Sequence, residues 1–318
     1  MKAERFTWMR HQLLSPWFMA GVLLLIFLSA APLLFAPYTI ISITNVLMYI
    51  VMTVSWAFFS GPTQYLSLAT AAFFGIGIYV SALAGEVLLF PLVITLGALL
   101  SFLIAVLVGL STLRLRGMYF TIFTFGLSEL IRHFVLWWEV NITGTVGRWV
   151  VAMDHTTVYY AMLTIGTVTL AVTQTVRISK YGLALRSIGD SEEAADHTGI
   201  NVNTVKLFSF AISAVFTGAA GAAMATRWTY IDPSIAFNPL YSFMPVLMAI
   251  FGGITRIHGQ IIGAVILTLL ADLLLTTFPY YYMLLYGLIL VVVILFVPGG
   301  LTGLQTDLKR LWQGGSGK

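Results

Sequence analysis

Few side chains in this 318-residue chain could do acid–base, nucleophilic or metal chemistry: 12 Asp and Glu, five His and no Cys. The histidines are scattered, without metal-ligand spacing. Without a thiol there is no disulfide and no thiolate site. No Ser-His-Asp series or carboxylate pair emerges, so neither a catalytic residue nor a metal ligand is assigned. The tail Gly314-Gly315-Ser316-Gly317-Lys318 imitates a phosphate loop. It fails the pattern, because Trp312 stands where the first glycine is required and no Ser or Thr follows Lys318. It reads as a flexible tail or an appended scar.

The remaining polar groups sit singly in apolar surroundings. Glu129 and Arg132 are three residues apart, on one face of a helix, and read first as an ion pair and second as a substrate contact. Asp272 lies in another apolar run with no local partner. Gln64, Ser67 and Thr70 would share one helical face, where such groups bond neighbouring helices or line a path. Asn141 and Thr143 fall in a polar stretch, Glu139–Thr157. Gln64, Ser67, Thr70, Glu129, Asn141 and Thr143 are the substrate-path candidates.

Composition dictates what must position these groups. Hydrophobic residues make up 59% and charged residues 9%, against roughly 45–50% and about 25% in soluble domains. So few charges cannot cover a water-facing surface, and the natural solvent is lipid. Lipid demands that backbone groups be satisfied internally, by helices or closed barrels. Apolar runs of about 20 residues favour helices over alternating ten-residue strands. The first apolar run is too long for the core of a cleavable signal peptide. Ten spans are expected, near 17–37, 39–59, 64–84, 87–110, 118–138, 158–176, 205–226, 240–253, 260–278 and 281–297. The eighth is short and contains Pro245, which suggests a broken or tilted element. The run Gly218–Ala223 of glycines and alanines predicts close helix packing in the bundle, with a subunit interface as the second reading. Trp137, Trp138 and Tyr280–Tyr282 read as interfacial belt residues.

With the N-terminus inside and spans alternating, 13 of the 16 Lys and Arg fall on inner segments: Lys2, Arg5, Arg10, Arg114, Arg116, Arg177, Lys180, Arg186, Lys206, Arg256, Lys309, Arg310 and Lys318. Only Arg148 and Arg227 fall outside. The positive-inside bias supports an even span count with both termini cytoplasmic. The basic balance, a net charge of +4, is thus a topology signal and not a nucleic-acid surface.

One inner loop, 181–204, holds Asp190, Glu192, Glu193 and Asp196, four of the 12 acidic residues. Ser191 can cap a short helix whose first turn carries Glu192 and Glu193, where the dipole favours anions. Ala194 and Ala195 propagate it, Gly199 ends it and Asn203 can cap the next span. A connector would need only a few residues. The acidity disfavours an anionic bilayer surface, which leaves docking of a soluble partner as the sharper reading and an interfacial helix as the other.

Here the sequence resembles a known family. Glu193-Ala194-Ala195 with Gly199 is similar to the EAA---G signature of ABC importer permeases. Over most of its length the chain resembles LivM-type permeases of branched-chain amino acid importers, through Ser67–Tyr79, Leu113–Arg132, Gly182–Val202, Phe210–Ala225, Phe251–Ala264 and Tyr286–Gly303. The family's usual Gly-His near the third span is here Ala69-Thr70. Its Asn-x-Thr-Gly-Gly is Asn141-Ile142-Thr143-Gly144-Thr145, and its aspartate after Arg-Gly is Met118. The resemblance implies an all-α polytopic membrane protein, one transmembrane domain over 1–318, with a coupling loop at about 181–204 and a cytoplasmic tail at about 299–318. It implies a bacterial inner-membrane subunit that moves a small polar solute, a branched-chain or other amino acid or an amide or urea-like compound. Glu192, Glu193, Ala194, Ala195, Asp196 and Gly199 would meet an ATPase. Expected partners are two ABC ATPases, a second, LivH-like permease and a periplasmic binding protein. The ATPases would use ATP and magnesium, and this chain would bind no cofactor. The departures at Ala69, Thr70 and Thr145 suggest a ligand other than an ordinary branched-chain amino acid. The alternative is an ion-coupled secondary transporter, for which only Glu129, Arg132 and Asp272 supply mid-span ionisable groups.

Overall fold

The computed structural model describes residues 16–115, 117–296 and 300–301. Lys2, Arg5, Arg10, Arg116, Lys309, Arg310, Lys318 and the Gly314–Lys318 run lie outside the described residues. The chain is an all-α membrane protein. Its helices in order are α1 (Pro16–Leu34), α2 (Pro37–Thr63), α3 (Thr70–Ala84), α4 (Phe90–Thr112), α5 (Met118–Trp138), α6 (His155–Arg177), α7 (Lys180–Asp190), α8 (Glu192–His197), α9 (Val202–Ala225), α10 (Pro233–Ala236), α11 (Leu240–Gly252), α12 (Ile257–Thr277) and α13 (Tyr282–Phe296). Two two-residue strands, β1 (Arg148–Trp149) and β2 (Tyr230–Ile231), pair antiparallel across two loops.

Six stretches among the described residues are long and apolar enough to cross a membrane: α2, α4, α6, α9, α12 and the α10–α11 run Pro233–Gly252. The eighth expected span is therefore completed by the turn α10, and α11 continues through Pro245. α3 and the described part of α1 are shorter apolar helices.

The centre of the bundle is α9, packed on α2, α3 and α4, while α2 also packs on α6 and α12. The small-residue run of α9 makes this possible. A side chain at Gly77 of α3 would collide with the Gly218 carbonyl, and one at Gly218 would collide with Ser101 of α4. Backbones this close gain dispersion that lipid cannot supply. The run is thus an internal seam, as its composition predicts.

The third expected span is not a continuous helix. α2 ends at Gln64, held at φ 60°. Residues 64–69 are non-helical, and α3 starts only at Thr70. Ser67 lies back beside α2, accepting at its carbonyl from Trp56 Nε1 (2.7 Å) and donating its amide to Ser60 Oγ (3.4 Å). Trp56 is seven residues before Thr63, so the segment climbs about 10 Å into the bundle. The 15 residues of α3 cover about 22 Å more. Together they match a hydrocarbon core of about 30 Å.

Candidate functional site

Non-helical backbone at membrane depth is tolerated only where protein satisfies it, and here three helices do so. Thr121 Oγ1 of α5 donates to Leu66 O (2.9 Å), and the Leu68 amide donates to Thr124 Oγ1 (3.0 Å). Leu68 O accepts from Ser128 Oγ (3.2 Å) and from Ser242 Oγ of α11 (2.6 Å). Ser242 Oγ also accepts the Ala71 amide (3.0 Å), an orphan donor of the α3 N-terminus. The segment is thus stitched to α2, α5 and α11. Beside it a cavity of about 10 Å³ is lined by Trp56, Phe59, Ser60, Ser67, Thr70, Phe73, Ser213 and Thr217. That is the room of a single water molecule, too narrow for an amino acid. Of its lining, Phe59 and Phe73 pack on Phe210, and Phe59 also on Phe120, which meets Tyr65, mostly edge to face.

The structure brings Ser67 and Thr70 together at this small cavity but does not put Gln64 with them. The one-face expectation is corrected: the three residues do not share a helix, because the backbone breaks at Gln64, which is exposed at the end of α2. Glu129 pairs with Arg132 at 2.6 Å, both partly exposed, so the ion-pair reading holds. Asn141 Nδ2 donates to Trp137 O (2.9 Å) and Thr143 Oγ1 to Glu139 O (2.8 Å). These close a single π turn, Glu139–Thr143, after α5. Asp272 accepts from Ser42 Oγ of α2 (2.7 Å).

Sequence reading missed Glu139. It is 0% exposed, accepts the Gly147 amide (2.8 Å) and Tyr79 OH (3.3 Å), and lies 3.7 Å from Arg148 Nε. Arg148 in turn stacks over Trp138, 5.1 Å from the ring centre. This knot ties the 139–149 loop to α3 at the end of the bundle that carries β1 and β2.

The opposite end carries the acidic loop. Arg177, Arg186 and Arg256 line one cavity there, of about 440 Å³, with Asp190. These three basic residues thus gather at one end of the bundle. The loop holds two helices where sequence suggested one. α7 is capped by Ser179 and packs on the end of α2, while α8 is capped by Ser191, whose Oγ accepts the Ala194 amide (3.3 Å). Gly199, at φ +85°, ends α8, with its amide on Asp196 O (2.9 Å) and that of Ile200 on Ala195 O (3.1 Å). Asn201, not Asn203, caps α9, because its Oδ1 reaches the Thr204 amide (3.1 Å).

On α8, Glu193, Ala194 and Asp196 face outward, and Gly199 just beyond its end is exposed. Ala195 is 2% exposed and packs inward. Glu192 also turns in, its Oε1 2.7 Å from Lys206 Nζ and 2.7 Å from Tyr65 OH. Lys206, itself 2% exposed, also donates to Leu113 O (3.3 Å). From sequence Lys206 reads only as a topology charge; its partner on the 64–69 segment, Tyr65, is 141 residues away.

Comparison with known proteins agrees with these features. A family model described as branched-chain amino acid transport system / permease component matches residues 38–294. The chain is 24% identical to the high-affinity branched-chain amino acid transport system permease protein LivM of Escherichia coli (strain K12), over 92% of this chain and 76% of that protein. It is 26% identical to LivM of Salmonella typhimurium, over 85% and 71%. It is 31% identical to the permease protein LivH of Escherichia coli (strain K12) over shorter stretches, 42% and 43%. No solved structure matches the chain. Helices fit to cross a membrane, a buried small-residue seam and a match over most of the length lead to one assignment: the chain belongs to the family of branched-chain amino acid transport system permease components.

Proposed function

We propose that this chain is the translocating permease subunit of an ATP-binding cassette importer and that α8 docks the ATPase. The observation that carries the reading is α8 itself: a capped, acidic helix on the end where basic residues gather, with Glu193, Ala194 and Asp196 turned outward and Gly199 exposed just beyond its end. A small residue at 194 lets a partner backbone approach, and interface energy concentrates in a few such well-packed positions. ATP and magnesium act in two ATPase subunits, and this chain holds no cofactor. ATP binding favours one state of the permease over the other by differential affinity.

Further readings follow from family membership. A second, LivH-like permease completes a heterodimer, supported by the partial likeness to LivH. A periplasmic binding protein delivers the solute. The chain is one domain over 1–318, with about ten passes: the six long apolar stretches plus α1, the 64–84 segment, α5 and α13. It lies in the bacterial inner membrane, with both termini cytoplasmic. The solute is an amino acid or a related small amide. The departures from the family pattern at Ala69, Thr70 and Thr145 favour one other than leucine, isoleucine or valine, which calorimetry on the binding protein of the same system tests. A binding protein that prefers those three over a wide panel retires that detail.

The docking reading is tested with Ala194→Asp and Gly199→Val. Both should insert in the membrane, lose the co-purifying ATPase and lose uptake. Full ATPase retention and transport in both variants overturns it.

A further inference from the structure

The inward side of α8 carries more than packing. Glu192 Oε1, Lys206 Nζ and Tyr65 OH form a closed triangle, with edges of 2.7, 2.7 and 3.3 Å. Lys206 Nζ also lies 4.4 Å from the centre of the Tyr65 ring, and its third contact is Leu113 O at the end of α4. Four elements therefore meet at one ammonium: α8, the first turns of α9, the end of α4 and the segment 64–69. A buried ion pair of this kind resists separation, because removing one partner strands the other charge. Between Thr63–Tyr65 and Ile188–Glu193 lies a cleft of about 330 Å³, so α8 is not packed continuously against the end of α2. The 64–69 segment is joined to α2 by side-chain bonds from Trp56 and Ser60 and not by a continuous helical ladder. At its far end Ser67, with Thr70 at the start of α3 just beyond, lines the small cavity.

We propose that Glu192, Lys206 and Tyr65 are the transmission link of the permease. A displacement of α8 is handed through Glu192 and Lys206 to Tyr65, and along residues 64–69 to the small cavity lined by Ser67 and Thr70, which would then open or close. The inference rests on the docking reading and changes one part of it: Glu192 is a positioning residue turned into the permease, not a contact with the ATPase.

The chain has no native cysteine, so two spin labels report the motion directly. One is placed at His197→Cys on α8 and the other at Gln64→Cys, both exposed. The full complex, with its ATPases and binding protein, is reconstituted in nanodiscs. Electron–electron distances are measured without nucleotide and with ATP, alongside solute transported per ATP hydrolysed. In the otherwise native chain the label pair should keep one distance in both states, because α8 and the segment move together. In Glu192→Gln/Lys206→Met, which removes both charges at once, the distance should differ between states. Transport per ATP should fall about tenfold, within the usual range of inter-site couplings. ATPase retention should stay at the native level. Tyr65→Phe, which deletes one hydroxyl and leaves the ring on Phe120, should lose coupling several-fold, and Lys206→Arg should restore most of it relative to Lys206→Met. Unchanged distance and unchanged transport per ATP in the double variant and in Tyr65→Phe overturn the proposal. Loss of the ATPase from the double variant also overturns it, because Glu192 would then be a docking contact. Failure of the docking reading shows separately, as full ATPase retention by Ala194→Asp.

Discussion

Ser242→Ala isolates the cost of breaking a helix inside a membrane. The Ser242 hydroxyl is fully buried and makes two bonds at once, donating to Leu68 O at 2.6 Å and accepting the Ala71 amide at 3.0 Å. Alanine leaves the amide without that partner and leaves the carbonyl with Ser128 alone, at 3.2 Å. An orphaned buried donor costs about 1–3 kcal/mol. Single interhelical bonds in membranes average about 0.6 kcal/mol, because the unfolded chain in lipid finds partners too. Losing two bonds, one of which orphans its donor, should cost about 2 kcal/mol. Ser128→Ala removes the longer bond to a carbonyl that Ser242 still holds, together with a shared bond to Thr124 O inside α5 (3.3 Å), and should cost about 0.5 kcal/mol. In the double variant Leu68 O loses both donors, so the loss should exceed the sum by about 1 kcal/mol. Reversible unfolding in mixed micelles, read as a double-mutant cycle, supplies all three numbers. A Ser242→Ala cost within about 0.5 kcal/mol of the Ser128→Ala cost, with an additive cycle, would refute the claim that side chains hold the non-helical segment.

Three shorter tests address other parts of the molecule. Cysteines at Ser191 and Thr145 should label from opposite sides of intact cells, Ser191 only from the cytoplasm; labelling of both from one side breaks the topology. Glu139→Gln should cost about 2 kcal/mol, because it leaves Arg148 with no carboxylate and sets an amide N–H against the donors of Gly147 or Tyr79. Hydrogen exchange at the Val150 amide, bonded to Thr229 O, should rise, and unchanged protection there contradicts the role given to Glu139. Gly218→Val should abolish accumulation of folded permease, because its side chain meets Ser101 and the Gly97 carbonyl. Gly126→Ala, in open space on α5, should be tolerated or slightly stabilising; equal yields of the two variants would mean that the α9 seam is not close-packed.

The contrast between those two glycines shows what sequence can carry. The clustering of Gly218–Ala223 on one helix foretells a close approach, since small residues have few other uses at that density in lipid. Apolar length foretells most spans, and Ser191 and Gly199 mark the ends of α8 because capping chemistry is local. The break at Gln64 is different. Its neighbours are as apolar as a helix requires, and the side chains that make the irregular backbone affordable, Thr124, Ser128 and Ser242, lie 56 to 174 residues away from the amides and carbonyls they satisfy. Periodicity therefore extends the helix through a stretch where tertiary bonds end it. The same distance hides Lys206, which reads as an inner-surface charge until the fold sets it against Glu192 and Tyr65. Glu139 is hidden for a related reason: a polar loop suggests exposure, and only the pairing of Arg148 with Ile231 across two loops reveals that its first residue is sealed in.

Reconstituted transport tests the central reading most directly. The permease, its paralogous partner and the ATPases are placed in liposomes, with the loaded binding protein outside and ATP inside. Uptake of the solute should require internal ATP and continue after ionophores abolish every proton and sodium gradient. It should stop in Ala194→Asp while the permease remains inserted. Uptake driven by an ion gradient without ATPase subunits, and blocked by neutralising Glu129 or Asp272, would contradict the importer reading and make the chain a secondary transporter.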